Sequence, residues 1–299
     1  MPGVIEVRGL THRYGRRVAV EDVSFCVARG EVLGLLGRNG AGKTTTIEIV
    51  EGYRRPTAGL VRVLGRDPFG GDRHLRSRIG VVLQSGATEP TLRVRELLAL
   101  HAGFYHPRRR VSDLIAAVGL EGEERTVVGS LSGGQHRRLE LALALAGDPE
   151  VLFLDEPTTG LDPEGRRQIW AVVTSLRARG AAILLTSHYL EEVEVLADEV
   201  VVMQRGKVLV TGSPDALRSA APLGTSEIAF RTRPHVALPE GPWVVEVTRG
   251  GRSVLTTREP LAAIEQLAAW ARHHGIDIEQ LELRRPSLED AYLQLTAEP

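Results

Sequence analysis

A glycine-rich turn between a buried strand and a helix constrains this chain more than any other feature of its sequence. Residues 32–36 read VLGLL, which predicts a fully buried strand, and residues 37–46 read GRNGAGKTTT. An apolar pattern from Ile47 predicts a helix after the turn. Glycines let the backbone N–H groups of such a turn point inward, and the helix N-terminus adds partial positive charge. The pattern Gly-x4-Gly-Lys-Thr in this setting predicts a phosphate-binding loop.

The side chains of this loop have distinct predicted parts in holding a nucleotide. Lys43 is long enough to reach β- and γ-phosphates, and the hydroxyl of Thr44 can bind Mg2+. Only Lys43 and Lys207 are lysines among the 37 Lys and Arg residues of the chain, so a lysine at this place by chance is rare. The candidate nucleotide-binding residues of the loop are Gly37, Asn39, Gly40, Gly42, Lys43, Thr44 and Thr45.

Two carboxylates follow a second predicted buried strand much further along the chain. Residues 151–154 read VLFL and lead directly into Asp155 and Glu156. In a parallel sheet these carboxylates lie at the strand's C-terminal edge, beside the phosphate-binding loop. Asp155 then suits the surroundings of Mg2+, and Glu156 can accept a proton from an attacking water as a general base.

The segment 131–135 reads LSGGQ and opens a predicted helix between these two motifs. At this point the chain resembles the ATP-binding-cassette (ABC) ATPases, whose signature is this pentapeptide. The resemblance implies that the segment meets the ATP held by an opposite subunit, because a serine, two glycines and a helix N-terminus can receive a γ-phosphate. It therefore implies a head-to-tail dimer, formed with a second copy or with a paralogous ABC subunit. The candidate signature residues are Leu131, Ser132, Gly133, Gly134 and Gln135.

Four further positions match the family's pattern, and the resemblance implies a role for each. Tyr14 stands where an aromatic side chain stacks on adenine, and Gln84 where a glutamine senses Mg2+ and joins the core to a helical part. Asp162 matches a loop that links the two active sites, and His188 matches a histidine that touches the γ-phosphate. Taken singly, each would be an ordinary packing or surface residue, but their order and spacing favour the functional interpretation. With ATP and Mg2+ as expected cofactors, the predicted catalytic residues are Glu156, His188, Gln84 and Asp155, and the predicted Mg2+ contacts are Thr44, Gln84 and Asp155.

Strands alternate with helices as far as Ser213 and Pro214, which predicts an α/β fold with a parallel sheet. The resemblance refines this prediction to a P-loop ABC cassette with a parallel-sheet core, an antiparallel β part and a helical subdomain at about residues 86–147. Beyond this point the alternation stops, and residues 222–242 hold four of the chain's 16 prolines. We therefore predict a nucleotide-binding domain over residues 1–219 and a small α+β domain over residues 220–299.

The C-terminal segment 286–296 reads PSLEDAYLQLT and resembles the ending of drug-resistance-type export ATPases, including the daunorubicin exporter group. An alternative interpretation is an ordinary amphipathic helix that buries Leu288, Tyr292 and Leu295. The resemblance implies an Mg-dependent ATPase subunit that powers a separate membrane permease, exporting a drug, lipid or other hydrophobic compound. Three alternatives stay open: an importer subunit, an ABC ATPase serving DNA repair or the ribosome, and a regulatory ATPase without a permease.

Composition sets the expected location and partners. The longest apolar run, residues 141–147, is far too short to cross a bilayer, and no basic-then-apolar leader opens the sequence. We therefore expect a cytoplasmic protein. The resemblance implies a position at the inner face of the cell membrane with the permease on another chain, and we expect that permease to dock on residues 91–105. The net charge of −1 gives no reason to expect nucleic acid as a partner. The single cysteine, Cys26, excludes an internal disulfide and follows Phe25 in a predicted strand, so we expect it to be buried.

Overall fold

Strands and helices alternate over most of the first of two units, Met1–Pro214 and Asp215–Pro299. The computed structural model describes residues 3–83, 88–106, 109–220, 226–233, 238–241, 243–247, 252–284 and 287–296. The strands of the first unit are β1 (Ile5–Tyr14), β2 (Arg17–Val27), β3 (Val32–Leu36), β4 (Ala58–Val63), β5 (Ile79–Val82), β6 (Val151–Asp155), β7 (Ala182–Ser187), β8 (Glu199–Gln204) and β9 (Lys207–Gly212). Its helices are α1 (Lys43–Val50), α2 (Arg73–Arg76), α3 (Val94–Ala102), α4 (Val111–Ala117), α5 (Gly133–Ala144), α6 (Pro163–Ala178) and α7 (Leu190–Leu196), and α8 (Pro214–Ala220) follows.

A six-stranded sheet with the order β5-β6-β7-β3-β8-β9 forms the centre of this unit. All neighbouring pairs are parallel except β8 and β9. The strands β3, β6 and β7 are buried along their whole length, which explains their unbroken apolar sequences. Leu36 pairs with Ser187, and Asp155 pairs with Thr186, so these three strands end at one edge. The predicted parallel-sheet core is thereby confirmed.

A three-stranded antiparallel sheet with the order β2-β1-β4 is the antiparallel part that the sequence predicted. Its inner face shares one apolar core with β3, β6, β7 and α1. The prediction that Cys26 is buried is wrong, because its side chain is exposed. Strand residues alternate between the two faces, and on β2 it is Phe25 and Val27 that point into the core.

The helices α3, α4 and α5 pack on one another around Leu98, Leu114 and Leu139, all of which are fully buried. Helix α5 also contacts β5. These helices therefore connect to the sheet next to β6, the strand that ends in Asp155. In the described parts of the chain, no helix combines the length and the apolar character that a bilayer crossing requires.

The second unit has four described strands and two long helices after α8. They are β10 (Ser226–Arg233), β11 (Val244–Val247), β12 (Arg252–Thr257), α9 (Pro260–His274), β13 (Asp277–Arg284) and α10 (Leu288–Thr296). The strands form an antiparallel sheet in the order β11-β12-β10-β13, and α9 packs its Ala263 and Leu267 against Ile228 and Phe230 of β10. The unit therefore has the predicted α+β character. Leu288 and Tyr292 of α10 are buried, whereas the side chain of Leu295 lies outside the described residues.

Candidate active site

The glycines of the loop between β3 and α1 are required by the backbone of this chain. Gly40 and Gly42 have φ angles of 81° and 106°, a left-handed region that favours glycine. A Cβ atom on Gly42 would lie 2.8 Å from the carbonyl oxygen of Ala19, and one on Gly37 would lie 2.6 Å from that of Met203. Gly42 caps α1 without any side-chain hydrogen bond to the first backbone N–H groups. This leaves those donors for a ligand.

The side chain of Lys43 is buried, and its ammonium group bonds the backbone of the loop. Its Nζ atom donates to the carbonyl oxygens of Gly37 at 2.6 Å and Arg38 at 3.4 Å. Burial lowers the pKa of Lys43, while the nearby carboxylates of Glu156 and Asp155 act in the opposite direction. The loop, the lysine and both carboxylates thus share one electrostatic environment.

A cavity of about 690 Å3 joins this loop to the end of β1. Its lining residues are Tyr14, Arg17, Val18, Ala19, Asn39, Gly40, Gly42, Lys43, Thr44, Thr45, Glu156 and Arg205. Tyr14 is 44% exposed, and its hydroxyl lies 3.4 Å from Oγ1 of Thr45. The guanidinium of Arg54 lies 4.9 Å from the centre of the Tyr14 ring. The cavity therefore combines an accessible aromatic ring with the glycine-rich loop and Lys43.

Two arginines of this cavity, Arg17 and Arg205, were missed by the sequence analysis. Arg17 begins β2, and Arg205 lies in the turn between β8 and β9. Both add positive charge beside the loop, where an anion would be stabilised. All but two of the chain's 37 Lys and Arg residues are arginines, and nothing in the local sequence distinguishes Arg17 and Arg205 from the others.

Asp155 and Glu156 lie at the end of β6, beside β7. Asp155 is buried and accepts a hydrogen bond from the hydroxyl of Thr186. Burial raises the pKa of Asp155, and the neighbouring carboxylate of Glu156 acts in the same direction. The Oε2 atom of Glu156 accepts a hydrogen bond from Thr159 at 3.2 Å and lies 3.3 Å from Nδ1 of His188. The structure thus brings Glu156, His188 and the phosphate-binding loop together.

The segment LSGGQ lies at the N-terminus of α5 and lines no part of the 690 Å3 cavity among the described residues. Ser132 caps the helix by accepting from the backbone N–H of Gln135 at 3.2 Å. The Gln135 side chain accepts in return from the N–H of Ser132 at 2.9 Å and donates to Glu123 at 2.8 Å. The segment is therefore ordered by its own contacts, apart from the loop.

Asp162 and Gln84 are the two remaining site residues that the sequence predicted. Asp162 caps α6 by accepting from the backbone N–H of Gly165 at 2.8 Å, so it also has a structural part in this chain. Gln84 lies outside the described residues, which stop at Leu83 on that side.

Comparisons with known proteins agree with this arrangement. Residues 20–159 match the family described as ABC transporter, and residues 226–287 match the C-terminal domain of ABC transporter domain-containing protein-like. The chain is 38% identical over 307 residues to the daunorubicin resistance ATP-binding protein DrrA3 of Streptomyces coeruleorubidus, covering 98% of this chain and 96% of the relative. It is also 38% identical over 319 residues to the Nod factor export ATP-binding protein I of Burkholderia orbicola (strain AU 1054), with coverages of 98% and 96%. A solved ATP-binding subunit of an ABC transporter superposes with a TM-score of 0.66 at 30% identity, covering 72% of this chain and 91% of that chain.

Proposed function

Because this chain belongs to the ABC transporter family as an ATP-hydrolysing subunit, we propose that it drives an exporter through a permease carried on a separate polypeptide. The observation that supports this most is the convergence of the phosphate-binding loop, Glu156 and His188 at one sheet edge. The named relatives serve daunorubicin resistance and Nod factor export, and both match over nearly their full length, including the second unit. Export of a drug, a lipid or another hydrophobic compound is therefore the favoured direction, with import as the alternative.

The cavity is proposed to hold ATP together with Mg2+. Tyr14 stacks on adenine, the loop N–H groups surround the phosphates, and Lys43 neutralises the β- and γ-phosphates. Thr44 lines the cavity, and Asp155 lies close enough to Lys43 to affect its pKa. Hydroxyl and carboxylate oxygens are the donors that Mg2+ prefers, so Thr44 and Asp155 fit this ion, with Gln84 as the third proposed contact. Bound Mg2+ would offset the charge that develops on the phosphate oxygens.

Glu156 is proposed to act as the general base of hydrolysis. Its carboxylate accepts a proton from a water molecule while the water oxygen attacks the γ-phosphorus and the bond to the β-phosphate oxygen breaks. His188, whose Nδ1 atom lies 3.3 Å from the Glu156 carboxylate, is proposed to contact the γ-phosphate. The positive charges of Lys43, Arg17 and Arg205 stabilise the leaving diphosphate.

A head-to-tail dimer is proposed to complete each site. In this arrangement the N-terminus of α5, with Ser132 and the two glycines after it, meets the nucleotide bound by the other subunit. Asp162, at the start of α6, links the two sites. The second subunit is either another copy of this chain or a paralogous ABC subunit, and net charge gives no reason to add nucleic acid as a partner.

The permease is proposed to dock on residues 91–105, which include α3, and on the groove between this helix and β5, at the cytoplasmic face of the membrane. A cavity of about 660 Å3 there is lined by residues that include Tyr53, Val81, Leu83, His101 and Tyr105. Large apolar side chains around it are exposed, Tyr53 at 81% and Leu83 at 49%. Such a concave, apolar surface suits a short amphipathic helix of a partner chain.

The proposed function is tested by purifying tagged Glu156→Gln protein from detergent-solubilised membranes with ATP and Mg2+ present. This substitution removes the base but keeps the size of the side chain, so we expect hydrolysis to fall and the closed dimer to retain its partners. Glu164→Gln, on the exposed face of α6, is the matched control and should hydrolyse ATP normally. Recovery of a polytopic membrane protein supports the transporter. Recovery of ribosomes or DNA-bound complexes alone would contradict it while leaving the ATPase intact.

A further inference from the structure

The guanidinium of Arg137, in α5, is buried and uses all five of its N–H donors. Four of the acceptors are backbone carbonyl oxygens, and the fifth is a carboxylate. They are Pro157 (2.8 Å from Nε), Leu83 (2.6 Å from Nη1), Asp155 and Glu156 (2.9 and 3.0 Å from Nη2), and Oε2 of Glu140 (2.7 Å from Nη1). Five hydrogen bonds to fixed acceptors restrain the position of this guanidinium.

Three of these carbonyls belong to consecutive residues around the proposed general base. Glu156 has a φ angle of 49°, in the left-handed region that is unfavourable for a side chain larger than glycine. The backbone N–H of Glu156 donates to the carbonyl oxygen and to the hydroxyl of Thr186, both at 3.1 Å. Its carbonyl oxygen is held by Arg137 from the other side. The strained residue is therefore fixed at both of its backbone polar groups.

The same guanidinium contacts two other parts of the proposed machinery. Leu83 is the last described residue before Gln84, so the bond to its carbonyl oxygen ties the end of β5 to the end of β6. Arg137 itself lies in the helix that Ser132 caps. One side chain thus connects the general base, the strand before Gln84 and the signature helix.

We propose that Arg137 is a positioning residue for hydrolysis, which holds the backbone of Glu156 and couples its carboxylate to the position of α5. This inference rests on the proposed role of Glu156 as general base. When α5 moves against a nucleotide in the partner subunit, the guanidinium transmits the movement to the three carbonyls around Glu156. Lysine cannot replace it, because an ammonium has three donors and lacks the planar fork.

Full-length wild type, Arg137→Lys, Glu156→Gln and the double variant are compared by ATP hydrolysis, with rates divided by the concentration of sites that bind a fluorescent ATP analogue. We expect Arg137→Lys to lower kcat by about 10- to 100-fold, with KM for ATP changed less than about threefold, because a small displacement of a catalytic group slows chemistry without weakening binding. Arg138→Lys, in the next position of α5, is the control. The Arg138 side chain donates to the carbonyls of Val118 and Gly119 and should keep kcat within about twofold.

The double variant separates positioning from a general structural role. If Arg137 acts through the Glu156 carboxylate, adding Arg137→Lys to Glu156→Gln should lower the residual rate by less than about twofold. Losses that multiply in the double variant, or a wild-type kcat in Arg137→Lys, would overturn the inference. A wild-type kcat in Glu156→Gln would instead overturn the proposed general base.

Where Arg137→Lys yields too few binding sites, Glu140→Gln is measured in the same way. It removes the charge that orients the guanidinium but leaves the four carbonyl contacts, and we expect kcat to fall by about three- to tenfold. An unchanged kcat in that variant would contradict the coupling.

Discussion

The phosphate-binding loop and the signature segment are both glycine-rich, and both lead into a helix N-terminus. Their glycines differ in whether the surrounding chain leaves room for a side chain. In the loop, Gly42 has a φ angle of 106°, and a Cβ atom there would meet a backbone oxygen. In the signature, Gly133 and Gly134 lie inside α5, a Cβ on Gly133 would meet nothing within 4 Å, and one on Gly134 would come no nearer than 3.8 Å to Leu161. Contacts within the described residues explain the first set of glycines, whereas around the second set they leave room for a methyl group. The proposed head-to-tail dimer would supply a reason for glycine at these two positions, because the signature would there face the nucleotide of the other subunit.

The largest effect should come from Gly42→Ala, which tests the loop side of this contrast. The methyl group meets the Ala19 carbonyl in an unfavourable backbone conformation, so the free energy of unfolding should fall by about 2–4 kcal/mol. Binding of a fluorescent ATP analogue should be lost at concentrations that saturate the wild type. Thermal melts and nucleotide titrations measure both, and Gly70→Ala, at a position with open space around it, should change neither.

Gly133→Ala tests the signature segment. Unlike Gly42→Ala, it should leave stability and ATP binding intact and lower only hydrolysis. The helix has room for the methyl group, so the subunit should melt at or slightly above the wild-type temperature, with unchanged ATP affinity. Hydrolysis should nevertheless fall by about 10- to 100-fold, because in the proposed dimer the added methyl group would keep the other subunit's phosphate from the helix N-terminus. A fall in melting temperature, with hydrolysis per folded site unchanged, would mean that the glycine serves this chain after all.

The free energy of unfolding should depend on pH through Glu51, which directly follows α1, the helix after the phosphate-binding loop. Burial raises the pKa of Glu51 from 4.5 to about 8, and the charges of Asp155 and Glu48 add to this shift. The folded state therefore binds this proton more tightly than the unfolded state, and stability should decline as pH rises from 4.5 to about 8. At pH 8 we expect Glu51→Gln to raise the free energy of unfolding by about 1–2 kcal/mol. Urea unfolding at pH 5 and pH 8 measures the difference, and an equal gain at both values would contradict the prediction.

The smallest effect should come from the helix caps. Ser132→Ala removes the side-chain acceptor at the start of α5 and should lower the free energy of unfolding by about 1 kcal/mol.

Asp162→Asn keeps an acceptor at the start of α6 and should preserve stability, whereas Asp162→Ala should lower the free energy of unfolding by about 1 kcal/mol. Urea titrations compare the three variants. Hydrolysis that falls in Asp162→Asn at unchanged stability would separate the proposed communication between sites from capping.

The predicted site residues that the structure brings together at one sheet edge are those that a local sequence pattern makes visible. Gly37 to Thr45 and the pair Asp155 and Glu156 follow buried strands, and an apolar run that ends in polar residues is visible in a single sequence. The strand pattern also predicted the parallel core, because buried strands of a parallel sheet have no polar face.

Arg137 and Arg205 could not be found in this way. Arg137 bonds carbonyl oxygens that are distant in the chain, and Arg205 lines a cavity together with residues of other elements. Neither arrangement is visible in a sequence where arginine is the commonest basic residue. Cys26 was assigned wrongly for a related reason: an apolar neighbourhood in sequence does not tell which face of a strand a residue occupies. The side of β2 on which it lies depends on how that sheet packs against the rest of the core.

Because Cys26 is exposed and is the chain's single cysteine, one spectroscopic label can be attached to each subunit at a known position. A thiol-directed probe attaches only to β2, because no other cysteine competes for it. A dimer of two copies would then hold two probes and yield one distance between them, which changes as the dimer closes on ATP. A dimer with a paralogous subunit that lacks cysteine would hold one probe and yield none, so one labelling reaction distinguishes the two assemblies.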